Sequence, residues 1–84
     1  MKVTTVMIAS VALIAMTAFG EMPGKGWISR DKVAQIMKHR GYQVTKLEAD
    51  DGHWEGKMTK AGQKYEFHVD PLTGRITKLE REDD

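Results

Sequence analysis

The spacing of the hydrophobic residues changes at Gly41, from the period of a helix to the period of a strand. Before Gly41, the apolar residues of 33–37 recur at intervals of three and four, as on one buried face of a helix. After it, residues 54–58 and 65–69 alternate between nonpolar and polar, which is typical of half-buried antiparallel strands. The chain is therefore predicted to be an α+β protein. One N-terminal helix should pack on a small antiparallel sheet of three to four strands, connected as a meander.

Residues with strong positional preferences mark the ends of this helix. Ser29 is a good N-cap, and Asp31 lies in the first turn, where the helix dipole favours an anion. The basic residues 38–40 fall in the last turn, and Gly41 can adopt the left-handed conformation that often ends a helix. These signals predict a helix over about 30–40.

Asp51 and Gly52 form a strong hairpin signal, because both accept the backbone angles of a two-residue turn. A turn at this point pairs Ala49 with Trp54, which sets apolar against apolar and supports the register. The first two strands are therefore predicted to form a hairpin.

The next hairpin is compatible with two registers. A two-residue turn at 61–62 sets Lys57 opposite Glu66, a favourable cross-strand pair, but requires an alanine to take a positive φ. A four-residue loop over 59–62 avoids that requirement and instead sets Glu55 opposite Glu66. Both registers bury the same face, so the sequence leaves the two open.

A last strand is predicted over 75–81. Its apolar residues Ile76 and Leu79 are three apart, and so are Val44 and Leu47 in the first strand. A spacing of three breaks the strand period, and one extra residue restores it. We therefore predict a β-bulge in each of these regions, which are also the candidate edges of the sheet.

Residues 1–20 have the three parts of a secretory signal peptide. Lys2 supplies the positive charge, residues 6–16 form the apolar segment, and Ala18 and Gly20 are the small residues before a cleavage point. The alternative is an uncleaved membrane anchor, for which this segment is at the short limit. We predict cleavage after Gly20 and export to the periplasm or the medium, with membrane contact only through an uncleaved leader.

The remaining chain is electrically balanced and has no cysteine. Of 13 Lys and Arg residues, one, Lys2, lies in the leader. The remaining twelve basic side chains equal the twelve acidic ones in number. A neutral domain argues against nucleic acid as a partner. The absence of Cys excludes disulfides and thiolate metal sites. A single domain is expected over 27–81, and the acidic residues 80–84 are expected to form a frayed, solvated end.

The sequence offers no catalytic constellation outside the leader. A hydroxyl nucleophile needs a neighbouring base, and the only serine outside residues 1–20 is Ser29, which the helix cap explains. We therefore expect a non-enzyme with no cofactor.

Histidines raise the question of a metal site. His53 and His68 fall on adjacent predicted strands, on the same outer face as Glu55 and Asp70. A His/His/carboxylate patch would suit zinc or copper. In the two-residue register, however, His68 faces Glu55 and His53 faces Asp70, so each histidine has an acidic partner. We therefore expect paired side chains there and no metal, with the patch as the alternative.

Three aromatic residues are candidate interaction residues: Trp27, Trp54 and Tyr65. Trp27 precedes the helix, where it is either a cap on the core or an exposed anchor for a partner.

Residues 27–80 resemble a PepSY domain, the module named for peptidase propeptides. The resemblance rests on Trp27, the helix 32–37, the segments 41–44 and 50–52, Gly62, and above all residues 65–76. Its most specific part is the ending Val-Asp-Pro-x-Thr-Gly-x-Ile, with Asp70, Pro71, Thr73 and Gly74 as the motif residues.

The resemblance implies an exported domain that inhibits or regulates peptidases. Since the sequence carries no protease, we expect such a domain to bind in trans to a peptidase or another envelope protein. The alternative is a small envelope accessory protein that binds a metal ion or small ligand through the histidine and acidic patch.

Overall fold

The computed structural model describes residues 22–83, so the predicted signal peptide over 1–20 lies outside the described residues. The elements are α1 (Arg30–His39), β1 (Gln43–Asp50), β2 (His53–Lys60), β3 (Gln63–Val69) and β4 (Ile76–Arg81). The four strands form one antiparallel sheet in the order β1-β2-β3-β4. The predicted α+β meander is confirmed. Within the described part of the chain, no helix has the length and apolar character needed to span a bilayer.

The helix begins and ends close to the predicted residues. The Ser29 hydroxyl accepts a hydrogen bond of 3.0 Å from the Lys32 backbone N–H, which satisfies one of the free donors of the first turn. Gly41 follows with a φ of 91°, the left-handed conformation that ends the helix. Val33 and Met37 are fully buried against the sheet.

Both hairpins turn through two residues with positive φ, as in a type I′ turn. The first turn has φ values of 50° at Asp51 and 82° at Gly52, and the second has 50° at Ala61 and 80° at Gly62. Of the two registers left open, the two-residue turn at 61–62 is confirmed, and the four-residue loop is wrong. The twist of this turn matches the twist of the strands, so the sheet tolerates a strained alanine.

The two irregular strands each contain one extra residue, as predicted. The β1–β2 register shifts at Thr45, and the β3–β4 register shifts at Thr77. The Thr45 hydroxyl donates a hydrogen bond of 3.2 Å to the Lys57 carbonyl, which closes the gap in the ladder. Each bulge returns the apolar residues of its strand to the face that carries the helix.

The core lies between α1 and the inner face of the sheet. Its buried members are Val33, Met37, Val44, Leu47, Ala49, Trp54, Met58, Phe67 and Val69. The helix packs mainly against β1. As a result, Leu79 on β4, opposite the buried Phe67, remains 44% exposed.

Gly56 is required by a close approach of two strands beside the Thr45 bulge. A Cβ atom added to Gly56 would collide with the Lys46 carbonyl oxygen and lie 3.1 Å from the Cα of Leu47. Because these neighbours are backbone atoms, they cannot move aside as a flexible side chain can.

We expect Gly56→Ala to destabilise the protein by about 3 kcal/mol, at the upper end of the cost of overpacking a core. Thr59→Ala, in the same strand but on the outer face, is the control and should cost about 1 kcal/mol or less. Urea denaturation monitored by Trp fluorescence measures both. Equal losses for the two variants would contradict the proposed steric role of Gly56.

For the second hairpin turn, at 61–62, we predict a substitution that increases the stability of the protein. Ala61→Asn should stabilise the protein by about 1 kcal/mol, since asparagine tolerates the left-handed conformation that costs alanine about 1–2 kcal/mol. Asp51→Ala, at the equivalent position of the first turn, should destabilise the protein by a similar amount. Thermal denaturation of the two variants checks the paired signs. A loss of stability in Ala61→Asn would show that the turn is not strained.

Candidate functional site

The outer face of the sheet brings His53, Glu55 and His68 together. His53 and Glu55 are two residues apart on β2 and therefore point to the same face. His68 lies directly opposite Glu55 on β3. The two-residue turn that fixes this pairing thus also assembles the cluster. The side chains are 24%, 31% and 22% exposed, respectively, and lie half-buried on an open surface.

Both imidazoles approach the same carboxylate oxygen. Glu55 Oε1 lies 3.4 Å from His53 Nε2 and 3.2 Å from His68 Nε2. The two rings are stacked, with their centroids 4.2 Å apart and their planes 25° from parallel. One potential ligand atom from each of the three residues lies within 4.8 Å of the others. These are residue types that bind zinc and copper.

Asp70 does not join this cluster. Its Oδ1 accepts hydrogen bonds of 2.8 Å and 3.1 Å from the backbone N–H groups of Leu72 and Thr73. The expected pairing of His53 with Asp70 is therefore wrong, because His53 lies against Glu55 and Asp70 caps the turn after β3. Asp before Pro commonly folds back on its own turn in this way.

The motif residues Asp70, Pro71, Thr73 and Gly74 build the connection between β3 and β4. The Thr73 hydroxyl accepts from the Arg75 N–H at 3.2 Å, and the Pro71 carbonyl accepts from the Ile28 N–H at 2.8 Å. The second bond fastens the segment before the helix to this turn.

Gly74 lies at the contact between this turn and the helix. It is buried with a φ of 81°. A Cβ added there would lie 2.7 Å from the Ile36 side chain. The turn therefore holds the helix and the segment before it against the sheet.

The two tryptophans form one contact at the end of the core. Trp54 is 1% exposed, and its indole N–H donates to the Ile28 carbonyl at 3.0 Å. Trp27 is half-buried and packs edge-to-face against Trp54, with ring centroids 5.4 Å apart. Trp27 therefore caps the core and also presents part of its ring at the surface.

Tyr65 packs in a similar edge-to-face contact with Tyr42. Their ring centroids are 5.4 Å apart and their planes are nearly perpendicular. Both rings are half-buried against the core. Of the three candidate interaction residues, Trp27 and Tyr65 thus reach the surface, whereas Trp54 belongs to the core.

No pattern in the sequence predicted the contact made by Glu82. Its carboxylate lies 3.0 Å from Lys57 Nζ, and its backbone N–H donates to the Lys64 carbonyl at 2.8 Å. The hydrogen bond to Glu82 raises the pKa of Lys57. The expected frayed end is therefore wrong for residues 80–82, because backbone pairing and this exposed ion pair hold them to the sheet.

Several hydroxyl groups of the described residues have structural partners. The Ser29 hydroxyl caps α1, that of Thr45 bonds across the bulge, and that of Thr73 accepts a bond within the turn.

The family model of the peptidase propeptide and YPEB domain matches residues 2–80. This match begins further towards the N-terminus than the expected range of 27–80. Neither the curated proteins nor the solved structures contain a match to the chain.

The turn geometry makes Asp70 a stability determinant. Asp70→Ala should cost about 1–2 kcal/mol, because two backbone donors lose their acceptor. Asp70→Asn retains a side-chain oxygen and should lose less than half of that. Chemical denaturation of both variants measures the difference. Equal stability of Asp70→Ala and the wild type would rule out this function for the carboxylate.

Proposed function

The chain belongs to the family of the peptidase propeptide and YPEB domain, and from this membership we propose that it is an exported regulatory domain. In this proposal it is non-catalytic and binds, in trans, a peptidase or another envelope protein, which it inhibits. The folded unit is the domain over 27–81, released by cleavage after Gly20. The charge, apolar segment and small residues of 1–20 support export.

The observation that carries the proposal is the outer edge of β4, with which no other strand of residues 22–83 pairs. The Glu82 N–H bonds to the Lys64 carbonyl across β3 and β4. Because residues of an antiparallel pair alternate between bonding to the neighbouring strand and pointing away, the backbone groups of Leu79 and Arg81 point outward. Such groups can pair with an extended segment of another protein. A regulator of this kind needs no catalytic residue.

The two edges of the sheet differ in how well they are protected. At β1, the helix packs against the strand and the Thr45 bulge interrupts its regular course. At β4, the Thr77 bulge lies at the start, and the strand beyond it is regular to Arg81. Leu79, 44% exposed on the inner face, supplies an apolar contact beside the free backbone groups. These features favour β4 as the strand that a partner extends.

The test replaces one backbone donor on that edge. Leu79→Pro removes an outward N–H, which a folded edge strand tolerates. Leu79→Thr is the matched control, since it also removes the leucine side chain but keeps the N–H. We expect Leu79→Pro to weaken inhibition of an envelope peptidase at least about tenfold, and Leu79→Thr to change it about threefold or less.

Two results would contradict the proposal in different ways. Circular dichroism must first show that the proline variant is folded. If the wild-type chain inhibits no peptidase activity in an envelope extract, inhibition is wrong for this protein. If the folded Leu79→Pro variant inhibits as well as the wild type, binding does not use the β4 edge.

A further inference from the structure

We propose that His53, Glu55 and His68 form a binding site for a divalent transition-metal ion of the zinc and copper class. The site lies on the outer face of β2 and β3, away from the β4 edge, and does not depend on the proposed inhibition. Three side chains supply two imidazole nitrogens and one carboxylate oxygen. The fourth position faces solvent, since each side chain is about a quarter to a third exposed.

The two distances from Glu55 to the histidines are close to those of a coordination shell. Zinc bonds to nitrogen and oxygen of about 2.0–2.2 Å, at the tetrahedral angle, separate neighbouring ligand atoms by about 3.3–3.6 Å. Glu55 Oε1 lies 3.4 Å and 3.2 Å from the two histidine nitrogens. All three ligand atoms lie within 4.8 Å of one another. A metal ion can therefore be bound after small side-chain rotations, with the strands unchanged.

The hydrogen bonds within the cluster of His53, Glu55 and His68 are long. Charge-assisted N–H···O bonds are about 2.7–2.9 Å long, and both contacts to Glu55 are longer. Both imidazoles approach one oxygen while their rings stack at 4.2 Å. A single cation bound between the three side chains uses the nitrogen lone pairs of both imidazoles and the oxygen of Glu55.

The scaffold holds the three ligands in place. Glu55 and His68 are a direct cross-strand pair, and His53 lies two residues before Glu55 on the same face of β2. Ligands fixed on strands lose little freedom on binding. Two further acidic residues, Glu48 and Asp50, lie opposite Glu55 and His53 on β1. They add negative potential around the site.

The chemistry of the ligands selects the class of metal. Imidazole nitrogens suit zinc, copper and nickel, whereas calcium and magnesium take oxygen ligands. Lys78 lies opposite His68 and forms an ion pair with Glu80 at 3.9 Å, and Lys46 forms one with Glu48 at 3.6 Å. These lysines are paired with their own acids. They reduce the attraction for a cation without supplying a competing ligand.

The experiment is a calorimetric titration of the full chain, made without a polyhistidine tag and freed of metal by a chelator. Zinc sulfate and copper sulfate are the probes. We expect one ion to bind per chain, and copper more tightly than zinc. His53→Gln and His68→Gln should each weaken binding at least tenfold. His39→Gln, which removes the histidine at the end of α1, is the matched control and should bind as the wild type does.

Electron paramagnetic resonance spectroscopy tests the same site by counting the coordinated nitrogens. With one equivalent of copper, the electron paramagnetic resonance spectrum should show two coordinated imidazole nitrogens, and the loss of one in His68→Gln. Circular dichroism verifies the fold of each variant. Binding that is lost in His39→Gln, retained in both other variants, or absent from the wild type would overturn the proposal.

The proposed metal site and the proposed inhibition can fail separately. Leu79→Pro should bind zinc as tightly as the wild type, and His68→Gln should still inhibit. If one property is lost without the other, the two surfaces are distinct. If both are lost together in every folded variant, the metal site is not separate from the inhibitory surface, and that part of the inference is wrong.

Discussion

The register in which β2 pairs with β3 positions residues on both faces of the sheet. On the inner face it sets Trp54 against Val69 and Gly56 against Phe67, and on the outer face it sets Glu55 against His68. A slip of one residue would expose the core and bury the charges, so the apolar face strongly selects this register. The outer cluster depends on the same pairing but contributes little to it. Because the four-residue loop would bury the same face, the matching twist of the two-residue turn, and not burial, explains why Ala61 adopts a positive φ.

Two long-range hydrogen bonds attach the segment before the helix to this sheet. The Trp54 indole bonds to the Ile28 carbonyl, and the Ile28 N–H bonds to the Pro71 carbonyl. Ile28 is therefore held through both of its backbone groups: a core side chain binds its carbonyl, and the β3–β4 turn binds its N–H. Because Gly74 admits Ile36 into close contact, the helix packs directly on that turn. Packing and hydrogen bonding thus give Asp70, Pro71 and Gly74 a structural role in this turn.

Local signals predicted most of the fold, while side-chain placement in the site was harder to predict. The helix cap at Ser29 and the Asp51 turn depend on neighbours within three residues, which a sequence displays directly. The second hairpin remained ambiguous, because a favourable cross-strand pair and a strained Ala61 opposed each other. The sharing of Glu55 by two histidines was not predictable. It depends on rotamers and on the diversion of Asp70 into the turn, which strand alternation does not specify.

The order of the strands in the sheet is the same as their order in the chain. Each strand pairs with its sequence neighbour, and the three connections between the strands are short. Folding therefore requires few closures of long loops, and topologies of this kind fold faster than those with distant pairings. An unfolded chain is open to proteolytic cleavage for as long as folding takes. A meander shortens that interval, which limits cleavage independently of the stability of the finished fold.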